Sequence, residues 1–323
     1  NGQKNWYVFG PISLQPVEFV KIGISLMLAS YVGNTDFNIK ERKSLLFSLG
    51  LLAVPGALVL LQPDVGSLMV FTAFFIALYR EGLSGWLFVA GFLVVGIFLV
   101  SLVVSPVYVV GACVGLAVSV VYFTKKSWNI ASMAVLAVVL ALISGLSFGA
   151  PKVMEKLPKH QRERIEVLFK GEKAFRKTAG YNLLYSKTAI GSGGLLGKGY
   201  QEGSVTQGHF VPEQRTDYIF CTVGEEWGFV GSTVLVLFYA IYIGRIYFLA
   251  ERQKNIFGRV FGYCFASILL MHFSINIGMV MGLFPTVGIP LPYFSYGGSS
   301  LLAFSIMTGI FFKLNSQDKE SLI

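Results

Sequence analysis

GWLFVAGFLVVGIFLVSLVV, residues 85–104, is a run of twenty residues without a single charge. An α-helix rises about 1.5 Å per residue, so roughly 20 apolar residues cross a hydrocarbon layer about 30 Å thick. The next segment, 106–123, repeats the pattern. Working outward, seven further apolar segments lie near 15–33, 44–61, 65–79, 130–149, 227–249, 260–283 and 290–312. The segment at 65–79 is short and reaches the interfaces only with Asp64 and Arg80 as its flanks. Glycines and prolines inside these runs are tolerated in lipid, where neighbouring helices satisfy the freed backbone groups. The expected fold is an all-α polytopic membrane protein. It is a transmembrane bundle of about nine spans with a large extracytoplasmic loop that carries short interfacial helices.

Composition agrees. Of 323 residues, 54% are hydrophobic and 13% charged, with mean hydropathy +0.66. No soluble domain hides that much apolar surface. Cys113, Cys221 and Cys264 are isolated, which excludes a disulfide scaffold and reads as packing. No polar stretch is large enough for a second folded unit, so one membrane domain over 1–323 is expected. The start at Asn1, with no signal-like segment, leads us to expect that N-terminal spans ahead of Trp6 are missing.

Sidedness follows from the short loops. Lys40, Arg42, Lys43, Arg80, Lys125, Lys126, Arg245, Arg252, Lys254, Arg259, Lys313 and Lys319 collect on one side. The short loops opposite, near 62–64, 105 and 284–289, have no Lys or Arg. The positive-inside rule makes the first side cytoplasmic and puts 150–226 on the extracytoplasmic face.

That long loop is basic: eleven Lys or Arg against four Glu between Lys152 and Lys198. Such charge invites anionic lipid heads or a phosphorylated ligand, or is simply solvated. Arg162 and Arg164, next to His160 and Gln161, can clamp pyrophosphate oxygens bidentately. Residues 181–190 are too short to span and read as an interfacial or re-entrant helix. Gly191, Gly193, Gly194, Gly197 and Gly199 then allow either a flexible turn or a backbone nest for an anion, centred on Gly193 and Gly194 and flanked by Lys198. No nucleotide-loop spacing is present. Further on, Glu213, Arg215 and Asp217 crowd into five residues where the chain re-enters the membrane. Asp217 is either a helix cap or a base, and apolar Tyr218, Ile219 and Phe220 beside it can raise a carboxyl pKa. Glu225 and Glu226 are expected at the outer end of the next span.

Ionisable groups inside a membrane default to function. Glu18 and Lys21, at i and i+3, share a face and can pair. Asp64 sits at a proline-marked helix end. His272 and Asn276, at i and i+4, are read as hydrogen-bonding another helix. The run from Leu291 to Ser300 interrupts the last span with small residues.

Five strings in order resemble the SEDS family of bacterial shape and division proteins, which includes RodA and FtsW. They are Gln15–Lys21, Gln62–Gly66, Gly191–Gly194 with Gly197–Gly199, Pro212–Asp217, and Ser295–Ser300. The loop start at His160-Gln161-Arg162 is more like RodA. The family usually has Ser where Val17 stands, and 85–123 with 130–149 supply two spans more before the loop than its usual pattern.

The resemblance implies a bacterial inner-membrane peptidoglycan glycosyltransferase that polymerises lipid II into glycan strands for elongation and shape. Asp217 would be its base and undecaprenyl pyrophosphate the leaving group. Substrate contacts are expected at Arg162, Arg164, Lys198, Arg215, Glu213, Gly193 and Gly194, with Glu18, Lys21, Asp64 and Ser299 in support. It also implies a class B penicillin-binding protein as partner, besides lipid II, the growing strand and membrane lipids, and no nucleic acid. A divalent cation, Mg or Mn, could share the electrostatic work, although no metal-ligand spacing demonstrates one. The rival readings are a lipid II flippase, supported by broken helices and intramembrane Glu18, Lys21 and Asp64, and a non-catalytic scaffold of the wall machinery.

Overall fold

The computed structural model describes residues 5–10, 12–124 and 129–320. Asn1, Lys125 and Lys126 lie outside them. The chain forms two compact units, Asn1–Leu83 with Lys170–Ile323, and Ser84–Phe169.

The first unit opens with a hairpin, β1 (Tyr7–Phe9) antiparallel to β2 (Ile12–Leu14), with Val8 opposite Ser13. Helix α1 (Pro16–Val32) starts on a proline, whose missing N–H is harmless in a first turn. Then come α2 (Arg42–Leu61), α3 (Val65–Phe71) and α4 (Ala73–Arg80). The expected 65–79 span is therefore two helices parted at Thr72. After the second unit follow a 3₁₀ turn (Glu172–Phe175) and α9 to α13. These are Gly180–Ser192, Ser204–Gln207, Ile219–Glu251, Ile256–Met281 and Gly298–Glu320.

Helix α12 is the core of this unit, with sixteen of its 26 residues buried. It packs against α1, α4, α9, α11 and α13. Glycine makes the closest approach possible. A Cβ on Gly262 would stand 2.6 Å from both the Ala250 methyl of α11 and the Phe311 ring of α13. Small residues draw helices together in this way where lipid supplies no hydrophobic push.

Two boundaries differ from expectation, each for a backbone reason. Helix α11 begins at Ile219, not 227, and is broken at Gly228, whose φ of 63° no ordinary helical residue adopts. Glu225 and Glu226 thus lie inside its first segment rather than at the end of a span. Helix α13 begins at Gly298, because Pro290 and Pro292 keep the preceding stretch out of a helix. Helix α1 has only 17 residues. By length and composition alone, six helices among the described residues can cross a membrane, namely α2, α11, α12 and the three below. The other three expected segments are shorter, interrupted or begin later.

The second unit contains α5 (Trp86–Val103), α6 (Pro106–Thr124), α7 (Ile130–Lys156) and nearly all of α8 (Lys159–Lys170). Helices α5, α6 and α7 pack on one another. Their only buried apolar residues are Val109, Ala150 and Met154, while Trp86, Phe92 and Phe123 are exposed. A layer this apolar on its outside needs a bilayer to cover it. The expected loop 150–226 is mostly helical, starting inside α7, and its residues divide between the two units.

Candidate active site

The stretch before α11 is held by its backbone. Three consecutive carbonyls, of Arg215, Thr216 and Asp217, each accept a bond from a distant donor. The Tyr296 N–H donates to the first at 2.8 Å, the Ser295 hydroxyl to the second at 2.6 Å and the Asn276 side-chain amide to the third at 2.8 Å. The same Asn276 nitrogen donates to the Ile289 carbonyl at 2.6 Å, so one amide ties the Asp217 backbone to the 282–297 segment. Ser295 in turn accepts from the Leu291 N–H at 2.7 Å. Gly288, at φ 73°, lies so close that a Cβ there would stand 3.0 Å from an Asp217 carboxylate oxygen. The helix-capping position falls on Tyr218, whose side chain makes no cap bond. Asp217 precedes it and is half-buried.

One turn below Asn276, His272 continues the same polar column. Its Nδ1 lies 3.1 Å from the Pro290 carbonyl, and its Nε2 2.7 Å from the Lys21 ammonium. Those partners assign the proton to Nδ1. Lys21 also donates to Glu18 at 2.8 Å, and both side chains are buried, at 2% and 3% exposure. The expected Glu18–Lys21 pair and the shared face of His272 and Asn276 are therefore both present. Together they link α1, α12, the 282–297 segment and the Asp217 backbone.

Asp64 and Ser299 serve the neighbouring chain entry. Asp64 caps α3, accepting the Ser67 N–H at 2.9 Å and hydroxyl at 2.8 Å, and takes the Asn5 amide at 3.0 Å. The Ser299 hydroxyl accepts the Gln15 N–H at 3.1 Å and donates to the Ser13 carbonyl at 3.0 Å.

The glycine run has a different role from the expected anion nest. A Cβ on Gly193 would fall 2.0 Å from the Gly224 carbonyl. The N–H groups of Lys198 and Gly199 donate to the Glu225 and Glu226 carbonyls, both at 3.0 Å, and those of Phe229 and Val230 to Gly194 and Leu195, at 2.9 and 3.1 Å. The break at Gly228 frees those α11 groups, and the glycines let the run lie against them. A backbone seam takes the place of the nest, with Gly193 packed against α11 and Gly194, at φ 59°, accepting the Phe229 N–H.

Lys198 belongs to the same seam. Its ammonium donates to Glu225 at 2.7 Å and Ser204 at 2.8 Å. Fully buried Glu225 also accepts the Val205 and Thr206 N–H groups at 3.0 and 2.8 Å. Lys198 thus neutralises a buried carboxylate. The two are 27 positions apart with nothing local linking them; the only signal was a carboxylate at the end of an apolar segment.

The other predicted residues are more open. Arg215 is exposed, and exposed Glu213 accepts the Thr216 hydroxyl at 3.2 Å. Arg162 and Arg164 lie on α8 in the second unit. Arg162 pairs with Glu166 one turn on, at 2.7 Å, and that carboxylate raises the guanidinium pKa. Among the described residues no three His, Cys, Asp or Glu side chains gather to hold a metal.

A multi-pass membrane protein with a buried ion-pair column leading to a backbone-clamped aspartate defines the class. Residues 1–111 and 109–320 match the model of the cell cycle protein family FTSW_RODA_SPOVE, and the chain belongs to that family. It is 33% identical over 318 residues to the peptidoglycan glycosyltransferase MrdB of Escherichia coli K12, covering 98% of this chain and 72% of the relative. It is 29% identical over 347 residues to the peptidoglycan glycosyltransferase RodA of Treponema pallidum, covering 98% and 78%. The fold is similar to a chain of a peptidoglycan synthase complex, with TM-score 0.65, 24% identity and coverage of 98% and 74%. It is also similar to RodA of Thermus thermophilus, with TM-score 0.55, 24% identity and coverage of 98% and 71%.

Proposed function

We infer that this chain is a peptidoglycan glycosyltransferase that polymerises lipid II in the bacterial inner membrane, with 150–226 facing outward. The names of its relatives support the activity. The observation that carries the site is the clamp on the carbonyls of 215–217, which holds a half-buried carboxylate where the chain enters α11. In this reading Asp217 takes the proton from the sugar hydroxyl of an incoming lipid II. The resulting oxygen attacks the anomeric carbon of the lipid-linked strand, with inversion, and undecaprenyl pyrophosphate leaves. A fixed backbone keeps the carboxylate within hydrogen-bond reach, which general-base catalysis requires. Arg215, two residues away and exposed, is the first candidate to neutralise the leaving group; Arg162 and Arg164 are further candidates. A class B penicillin-binding protein is the proposed partner, as cross-linker of the strand.

The ionisable side chains of α1 and α12 support an enzyme over a flippase. Glu18 and Lys21 lie in the first turns of α1, and His272 lies one turn below the clamp. A translocation path needs such groups to continue to the opposite ends of these helices, where α1 has no charged residue after Lys21 and the one charge of α12, Arg259, is paired with Glu81 at 2.9 Å. The experiment is polymerisation of purified lipid II by the full chain, with and without its partner, for the native protein and for Asp217→Asn. Glycan strands from the native protein and almost none from the variant are expected. Equal yields from the two would remove Asp217 from the chemistry.

A further inference from the structure

A second basic feature lies apart from the Asp217 clamp. Helix α9 buries Leu183, Ser186 and Ala189, and the Ser186 hydroxyl donates to the Val280 carbonyl at the end of α12, at 3.3 Å. Leu184, Tyr185 and Thr188 face the 3₁₀ turn, and Tyr185 also packs against the buried cluster that includes Ala189 and Met279. Between the turn and the helix is a cavity of about 490 Å³, lined by Lys173, Arg176, Leu184, Tyr185 and Thr188.

The walls are built rather than incidental. Lys187 bonds Glu172 at 3.3 Å, which fastens the turn to α9. A Cβ on Gly180 would lie 2.5 Å from the Glu172 carbonyl, so only glycine admits so close a return of the chain. Tyr185 stacks on Phe210, with centroids 5.4 Å apart and planes 11° off parallel, which fixes the aromatic wall.

The charge is one-sided. Glu172, already neutralised by Lys187, is the last carboxylate before Glu202. Lys173 and Arg176, both exposed, make no salt bridge among the described residues. Two cations without a salt bridge, an aromatic ring and a leucine at one cavity are complementary to an oxyanion joined to an apolar body. The cavity's position selects the body. Helix α9 lies across the end of α12 and the start of α11, at the polar margin of the bundle, where aromatic side chains meet lipid headgroups.

We propose that the cavity between the 3₁₀ turn and α9 binds the phosphate of a lipid headgroup, with Lys173 and Arg176 as its cationic partners and Tyr185 and Leu184 against the adjoining apolar part. The source is either an ordinary anionic phospholipid or the pyrophosphate-linked substrate. Only the second source rests on the proposed glycosyltransferase activity.

Native mass spectrometry of the full chain in detergent measures binding directly. The probes are phosphatidylglycerol, lipid II, inorganic pyrophosphate and, as a phosphate-free control, diacylglycerol. Charged hydrogen bonds of this kind make a loss of about tenfold the expected effect for the double variant K173Q/R176Q. Thr188→Trp, which fills the cavity without changing charge, should lose binding to the same lipid. The lipid whose affinity falls in both variants is the ligand. Pyrophosphate without a tail should bind more weakly than that lipid. Unchanged binding in both variants, or loss in K173Q/R176Q alone, overturns the proposal, because diffuse attraction to a charged surface does not depend on the cavity. Loss in Thr188→Trp alone overturns the role of phosphate. Phosphatidylglycerol binding by the native chain requires no polymerisation, which separates this test from that of the polymerase reading.

Discussion

The Asp217 segment and helix α8 both carry charged residues in the region expected to face outward, yet they are held in opposite ways. At 215–217 every backbone carbonyl has a donor from 59 to 81 positions away. On α8, Arg162 finds its partner Glu166 one turn along the same helix, and Lys159 lies 3.9 Å from Glu163 with the same spacing. Pairs of that kind stabilise a helix by only a few tenths of a kcal/mol and leave the side chains mobile. A group that moves a proton must be placed by the fold, whereas a group that offers only charge can act from a solvated arm. In the proposed reading, positional precision belongs to the first segment and long-range electrostatics to the second.

The sharpest way to break this contrast is Asp217→Asn. Loss of a general base lowers rate by about 10² to 10⁴, so polymerisation of lipid II should nearly vanish while the protein remains folded and inserted. Activity within roughly threefold of native would return Asp217 to a structural role.

Next in size is the buried pair beneath the clamp. Lys21→Met leaves Glu18 buried without a cation, at a cost of about 3–5 kcal/mol, whereas Lys21→Met with Glu18→Gln should recover much of it. A double-mutant cycle on melting temperature and activity measures the coupling. Additive losses would mean that the two residues act independently.

Asn276→Ala tests the clamp itself. It frees the carbonyls of Asp217 and Ile289, and displacement of a reacting group by about 1 Å can cost about 10² in rate. The expected signature is a lower kcat with little change in KM. A proportional rise in KM with kcat unchanged would show that Asn276 shapes substrate binding instead of the base.

The smallest effects belong to α8. Arg162→Gln should leave the melting temperature unmoved, because Arg162 is itself exposed and pairs with a neighbour one turn along the same helix. If Arg162 clamps a pyrophosphate bidentately, Arg162→Lys should already slow polymerisation, since an ammonium cannot reproduce the guanidinium fork. Native rates in both variants would leave α8 a solvated arm and sharpen the contrast further.

Much of this was legible in the residues alone. The run at 85–104 specifies a membrane helix because its apolar length matches the bilayer, a comparison that needs no partner. The spacing of Glu18 and Lys21 specifies a shared face, and that of His272 and Asn276 does the same, because helical periodicity is local. The tertiary structure alone decided what those faces meet. Nothing near Asn276 in sequence announces that its amide will hold the Asp217 carbonyl, and nothing near Lys198 points to Glu225. The residues alone left the glycines at 193–199 as either a flexible turn or a nest. Packing prevailed because the break at Gly228 presents backbone groups for them to meet. Length, charge and periodicity are carried by the chain one segment at a time. The donor that satisfies a buried carbonyl is fixed only when distant segments have packed and no water remains to take its place.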